Sequence, residues 1–340
     1  MDIKGFAQKT VIVVILLCLA GVAGVVAFSM KMANYANTPL DPQGLERTFE
    51  VSRGKGLSAV AHDLEEQGLA SHPAWFKLLA RIQKTDSKIH AGEYILSPDM
   101  TPLEILNVLV KGRTILYRLT IPEGVTMVQI AALAAQAGFG PEEEFLDKAS
   151  DPVFAASLGV EQETLEGYLF PDTYYFNKSA SPEKVITTMV QRFHTVFKPE
   201  WEDRAEELGL TVHQVVTLAS IIEKETSVPD ERTLVSSVNH NRLKKGIKLQ
   251  SDPTVIYGIR DFDGNITRKH LQTPTPYNTY TNKGLPPGPI ASPGEAALYA
   301  ALYPAETDYL FFVAKGDGGH QFSTNLRDHN RAVRKYQLRR

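Results

Sequence analysis

The sequence predicts an α+β fold in three parts, and three observations predict it. Residues 11–30 carry no charge and are mostly Val, Ile, Leu, Ala and Gly, which matches the ~20 residues that cross a bilayer as a helix. Residues 47–97 read as strand, helix, helix, strand. From about 116 a larger region mixes amphipathic helices with short strand-like runs. The expected division is a cytoplasmic tail at 1–10, a transmembrane helix at 11–30 and a linker at 31–46. A small βααβ module at 47–115 and a mixed α+β domain at 116–340 follow.

The apolar run is preceded by Lys4 and Lys9 and followed by Lys31. The first two, with the terminal amine, favour a cytoplasmic N-terminus and export of the remainder. A cleaved signal peptide is the alternative. Its apolar core is shorter, ~7–15 residues, but small residues around Ala27 and Ser29 leave cleavage open. Both readings put the bulk of the chain outside the cytoplasm. Cys18, the single cysteine, lies inside the run, so no intramolecular disulfide can form.

Asn34, Asn37, Pro39, Asp41 and Pro42 suggest a polar tether over 31–46. A β-like segment at Phe49–Val51 leads into a helix with Leu57, Val60, Ala61 and Leu64 at helical spacing, ended by Gly68. A second helix spans Pro73 to Ile82, a strand Ala91 to Leu96, and a helix Thr101 to Val110, stopped by Gly112. This βααβ unit resembles a LysM-like module, a common glycan-binding fold. An echo follows 70 residues on. Val51, Gly54, Leu57, Val60, Ala61 and Gly68 correspond to Ile121, Gly124, Met127, Ile130, Ala131 and Gly138. Duplication and the generic strand–turn–helix pattern both account for it.

A formal net charge of −3 excludes a global basic field for nucleic acid. The basic cluster Arg331, Arg334, Lys335, Arg339 and Arg340 reads as the solvated face of a last helix. No pair of histidines brackets a glutamate at helical ligand spacing, so neither a metal site nor a cofactor is expected. Glu166 to Phe176 is rich in aromatic residues. They either stack on sugar rings or fill a core, where large aromatics normally go.

Thr211 is a good N-cap, and Val212 to Glu225 reads as a helix. Val212, Val215, Val216, Ala219 and Ile222 form one apolar face, with Glu223 in its middle and Glu225 turned away. A carboxylate on an apolar face is costly unless neutral or paired. Desolvation raises its pKa, and the negative end of the helix acts the same way. A glutamate held protonated suits general-acid work at a glycosidic oxygen. A buried ion pair with an arginine such as Arg242 is the competing account.

Downstream, Leu249 to Gly258 is a polar turn entering a short element. Pro276 to Tyr280 and Gly284 to Gly294 are rigid Pro/Gly-rich loops of the kind that carries binding residues or covers surface. Gly318 to Asn325 follows a strand and sets polar side chains beside a tight turn. Together Ala219-Ser-Ile-Ile-Glu-Lys-Glu-Thr226, Asn241-Arg-Leu243, Leu249-Gln-Ser-Asp-Pro-Thr-Val-Ile-Tyr-Gly258, Tyr277-Asn-Thr-Tyr280, Gly284-Leu-Pro-Pro-Gly288 and Gly319-His-Gln-Phe322 resemble the endolytic murein transglycosylases, the YceG-like family. The resemblance covers nearly the whole chain. It departs at Asn239-His240, where an apolar pair is more usual and a change in local packing rather than in chemistry is expected.

The resemblance implies Glu223 as the catalytic residue, and Gln250, Asp252, Asn278, Tyr280 and His320 as residues lining a substrate cleft. It implies cleavage inside peptidoglycan glycan strands, at the cytoplasmic (inner) membrane, beside penicillin-binding proteins. Ordinary glycosidases use two carboxylates. A lytic transglycosylase needs one, because the muramoyl C6 hydroxyl closes onto C1 and leaves a 1,6-anhydro end. Two rivals stand beside this reading. One is a muramidase-type hydrolase that adds Asp252 as a second carboxylate. The other is a membrane-anchored, peptidoglycan-binding scaffold without catalysis.

Overall fold

The computed structural model describes residues 3–260 and 262–338, with residues 3–10 as backbone only. The side chains of the expected tail at 1–10, and Arg339 and Arg340 of the basic cluster, therefore lie outside the described residues. The apolar segment is helical from Ile3 to Asn37 (α1). Its stretch Val11–Asn37 is long and apolar enough to cross a membrane. The helix does not give way to a tether at residue 31. Met32, Tyr35 and Ala36 recur at helical spacing, and Met32 and Ala36 are buried against the module that follows. That apolar stripe carries the helix about two further turns beyond the expected end.

The module comprises β1 (Arg47–Val51), α2 (Leu57–Glu66), α3 (Pro73–Ile82), β2 (Gly92–Leu96) and α4 (Pro102–Lys111). β1 and β2 pair antiparallel, from Arg47 opposite Leu96 to Val51 opposite Gly92. Phe49, Val60, Leu64, Phe76, Tyr94 and Leu106 fill its core. Trp75 on α3 stacks with Phe28 of α1 at 5.6 Å and approaches Tyr35 at 6.1 Å. The Tyr35 hydroxyl donates to the Ser71 carbonyl at 2.7 Å. α4 starts at a complete capping box, Thr101 with Glu104, and ends at Gly112 in the left-handed region. This compact unit runs to Tyr117 and takes in Asn177–Ser179.

The second unit holds residues 118–176 and everything from 180 onward. Its elements begin with β3 (Tyr117–Thr120), α5 (Met127–Gln136), α6 (Glu142–Ala149), α7 (Pro152–Ser157) and β4 (Thr173–Phe176). α8 (Pro182–Val196), α9 (Pro199–Glu207), α10 (Val212–Glu225), α11 (Arg232–Lys244), α12 (Asp252–Tyr257) and α13 (Arg268–Gln272) follow. The chain closes with α14 (Glu295–Leu302), β5 (Phe311–Ala314), β6 (His320–Ser323) and α15 (Leu326–Tyr336). β3 pairs with β4, and β5 with β6. The mixed α+β class expected from the sequence is the class observed.

The echo between the two units is one of conformation. Gly54 and Gly124 both turn at positive φ, +75° and +74°, between strand and helix. Gly68 and Gly138 end the two helices at +62° and +85°. Val60 and Ala61 are buried in one copy, Ile130 and Ala131 in the other. Only glycine adopts such φ values without strain, which explains why these positions match.

The aromatic segment is resolved in favour of core. Tyr168, Phe170, Tyr174 and Phe176 are buried, and only Tyr175 is strongly exposed. Glu166 is buried with them. It accepts the Met127 N–H at 3.0 Å, at the start of α5, and the Tyr257 hydroxyl at 3.1 Å. Burial pushes its pKa up to about 7. Arg331, Arg334 and Lys335 are exposed along α15, as a solvated face should be.

α10 is the central helix. The Thr211 capping box with Gln214 starts it where the sequence indicates. All residues from Val215 to Ile222 are buried, including Thr217 and Ser220. α9, α11, α12 and α14 pack around it. Each fully buried Leu or Ile there contributes about 1.5–3 kcal/mol. Thr217 donates back to the His213 carbonyl at 2.7 Å. Ser220 Oγ donates to the Thr217 carbonyl at 2.7 Å and accepts the Ile290 N–H at 3.0 Å. A helix buried all round has no single apolar face. The wheel that set Glu223 apart from Glu225 therefore loses its premise.

Candidate active site

The last turn of α10 sends its two glutamates to different neighbours. Glu223 accepts the Gly294 N–H through Oε2 at 3.0 Å, and Arg232 lies 3.8 Å from Oε1. A Cβ at Gly294 would meet the Glu123 carboxylate, so a larger residue there would require that side chain to move. Desolvation raises the Glu223 pKa; the Gly294 N–H opposes this, and nearby Glu123 adds to it. The arginine near Glu223 is thus Arg232. Arg242, the partner considered from the sequence, binds elsewhere.

Glu225 lines a polar cleft of about 510 Å³ together with Gln250, Asp252, Tyr280 and His320. Glu223 and Asn278 are not among its lining residues. The Ser251 hydroxyl donates to Glu225 Oε1. Desolvation raises the Glu225 pKa, the Ser251 hydroxyl lowers it, and Asp252 raises it again. His320 and Arg242 act as weaker opposing charges. The result is a carboxyl held above its ordinary range at the edge of an open space.

Arg242 shapes the wall. From α11 it donates through Nε to the Leu310 carbonyl at 2.6 Å. Its Nη1 donates to the carbonyls of Lys248 and Leu249, at 3.1 and 2.8 Å, and to Gln250 Oε1 at 3.3 Å. Its guanidinium lies 5.0 Å from the centre of the Phe311 ring. Gln250 holds a left-handed φ of +54°, a costly conformation for a residue with a Cβ. Its N–H donates to the Thr279 carbonyl at 3.2 Å. Ser251 N–H donates to Thr279 Oγ1 at 3.0 Å, which presents the start of α12 to the cleft.

Asp252 opens α12 and accepts the Tyr280 hydroxyl at 2.6 Å. Burial, then this hydrogen bond, raises the Tyr280 pKa, so the phenol stays a donor. Asn278 is fully buried and braces the loop that carries Tyr280. Its Nδ2 donates to the carbonyls of His270, Leu271 and Thr273, and its Oδ1 accepts the Tyr280 N–H at 2.8 Å. His320 begins β6 opposite Ala314. Glu231 grips it twice, accepting its backbone N–H at 2.8 Å and meeting its ring Nδ1 at 2.7 Å.

Four of the six residues singled out in the sequence therefore share one cleft, Glu225 and Arg242 line it with them, and Ser251 and Glu231, which do not line it, hydrogen-bond to Glu225 and His320. Ser251 and Glu231 escaped the sequence reading, and Glu225 and Arg242 were given other places by it, for one reason. Their partners lie 6 to 89 positions away and outside their own helices, where a helical wheel does not reach. The repeated Glu of Glu223-Lys-Glu225 was the one local signal for Glu225.

Fold and cleft together define an α+β protein with an N-terminal apolar helix and a polar cleft built around a carboxylate of raised pKa. Comparison with known proteins extends this. The model of the YceG-like family matches residues 49–335, and the chain belongs to that family. A Bacillus subtilis (strain 168) protein named endolytic murein transglycosylase is 34% identical over 304 residues, 85% of this chain and 84% of the relative. A protein of the same name from Streptococcus pneumoniae serotype 2 is 31% identical over 318 residues. This chain spans 57% of that longer relative. A crystal structure of a YceG-like protein from Listeria monocytogenes matches with a TM-score of 0.60 at 34% identity. The match covers 84% of this chain and 98% of that one.

Proposed function

We propose that this protein is a membrane-anchored, endolytic peptidoglycan lytic transglycosylase whose acid is Glu225. The observation that carries the assignment is the gathering of Gln250, Asp252, Tyr280 and His320 around Glu225 in one cleft. Glu225, protonated by desolvation, donates its proton to the oxygen leaving C1 of the N-acetylmuramic acid residue. The resulting carboxylate takes the proton of the C6 hydroxyl as that oxygen bonds to C1. The products are a 1,6-anhydro-MurNAc end and a free GlcNAc 4-hydroxyl, and no water is consumed. Tyr280, Asp252, Gln250 and His320 offer donors and acceptors that orient the sugars. The reading extends to anchorage in the inner membrane by α1, with the cleft on the periplasmic side. The βααβ module is then a LysM-like glycan contact. The enzyme ends strand elongation, next to penicillin-binding proteins.

Two observations favour second readings. Glu223 also carries a raised pKa on the same helical turn, which keeps the wheel's assignment in play. Asp252 shares the cleft with Glu225, which would allow a two-carboxylate muramidase. One digestion experiment separates them all. Purified peptidoglycan is treated with wild type, E225Q and E223Q, and the ends are identified by mass spectrometry. The proposal expects anhydro ends from wild type, a loss of roughly 10²–10⁴-fold in E225Q, and less than about tenfold in E223Q. Reducing ends would replace it with the muramidase. Glycan that is bound and never cut would replace it with a scaffold.

A further inference from the structure

Asn239, on α11, is only 3% exposed and lines the cleft. Its Nδ2 is buried and has no hydrogen-bond partner among the described residues. The next two side chains on the helix are engaged in the fold. His240 Nε2 meets the Ala301 carbonyl at 2.8 Å, and Asn241 donates to the carbonyls of Thr307 and Tyr309 at 2.7 and 3.0 Å. A second buried nitrogen of the same cleft, Nδ1 of His329, also has no partner among the described residues. His329 is stacked on Phe311, with ring centres 5.1 Å apart. Burial, and then the charge of Arg242, push its pKa down.

Buried polar atoms are almost always hydrogen-bonded, so two orphans lining one cleft call for a partner outside the fold. A carboxylate is the wrong partner. The guanidinium of Arg242 is already committed to three carbonyls and to Gln250, while Glu225 and Asp252 bring acidic groups to the cleft. A side-chain amide offers a donor and an acceptor in one plane, and either end can be turned to a ligand by a flip. Its complement is another amide. The adjoining wall of Phe312, Val313 and Val333 is apolar and suits the carbon substituent of such a group.

We propose that Asn239 is a specificity-determining residue that reads a secondary amide of the ligand, with His329 as its companion in the cleft. The proposal deepens the reading of this cleft as a glycan site and rests on it. Two sources carry that chemistry: the acetamido group of an amino sugar and the backbone amides of a peptide stem.

The test measures binding by the full chain in detergent, comparing E225Q with E225Q/N239L. The probes are glycan strands stripped of peptide by an amidase, and a synthetic stem peptide without sugar. N239L is expected to weaken one probe about 5- to 30-fold, which is about 1–2 kcal/mol at 1.4 kcal/mol per tenfold. Loss on stripped glycan assigns the acetamido group, and loss on the peptide alone assigns the stem. The melting temperature should hold or rise, because an apolar side chain replaces an unpaired polar one. Equal binding of both probes by the two variants overturns the proposal. So does failure of the parent to bind either, or a loss of affinity accompanied by a fall in melting temperature. Anhydro ends are scored separately on wild type, so failure of the lytic reading is visible apart from failure of this one.

Discussion

Glu231 holds His320 at two points, accepting the backbone N–H with Oε1 at 2.8 Å and meeting ring Nδ1 with Oε2 at 2.7 Å. The carboxylate sits just before α11 and the histidine 89 residues on, so the pair fastens the β5–β6 hairpin. It also selects a tautomer. Whenever the ring is neutral, Nδ1–H donating to Glu231 leaves the lone pair on Nε2. E231A should lower kcat/KM roughly 10- to 100-fold while Glu225 stays in place. E231Q, which can still accept from the backbone N–H, should lose less. Steady-state cleavage of peptidoglycan by both variants checks this.

The Ser251 hydroxyl lowers the pKa of Glu225, against the desolvation that raises it. A general acid works while protonated, so activity falls as pH rises through its pKa. S251A removes the opposing hydrogen bond, and the pKa climbs further. The alkaline limb of kcat/KM should therefore move to higher pH in S251A. A shift to lower pH, or none, would contradict the assignment of Glu225.

Glu166 makes stability depend on pH. Its pKa is raised from the ordinary 4.5 to about 7 by burial. The folded state then binds the proton more tightly than the unfolded one. The contribution is complete below about 4.5 and is lost as pH rises through about 7. At about 1.4 kcal/mol per pH unit it reaches about 3 kcal/mol. Chemical denaturation from pH 5 to 8 should show wild type losing stability where E166Q stays flatter.

Ala36 is buried beneath the module and Ala33 is exposed on the same helix. A36D would bury a charge and should cost about 2–5 kcal/mol. A33D should stay within about 0.5 kcal/mol. Limited proteolysis around residues 38–46 reads the difference.

β1, β2, the helices α2 to α4 and α10, and the glycine stops were legible because local spacing and caps determine them. Thr211 begins α10 in both descriptions, and Gly68 and Gly138 end their helices. What escaped depended on packing from several sides. Glu225 was set away from the apolar face by a wheel that assumes one buried face, and α9, α11, α12 and α14 remove that assumption. Asn278 was drawn from a motif, but its amide is spent on three carbonyls within its own loop. The linker was inferred from Asn34, Asn37 and Pro39, while Met32 and Ala36 had the deciding contacts.

That last feature gives the apolar helix a heading as well as a length. A flexible leash would let the module swivel freely. A helix running unbroken from the apolar span into the module's core transmits rotation instead. Each residue advances the helix by about 100° and 1.5 Å. One alanine inserted after Gly24 would therefore swing the module through more than a quarter of a circle relative to the residues before it, and raise it hardly at all. Four inserted residues would bring it back to within about 40° of its bearing. In a bilayer, azimuth rather than height would be the quantity this anchor controls.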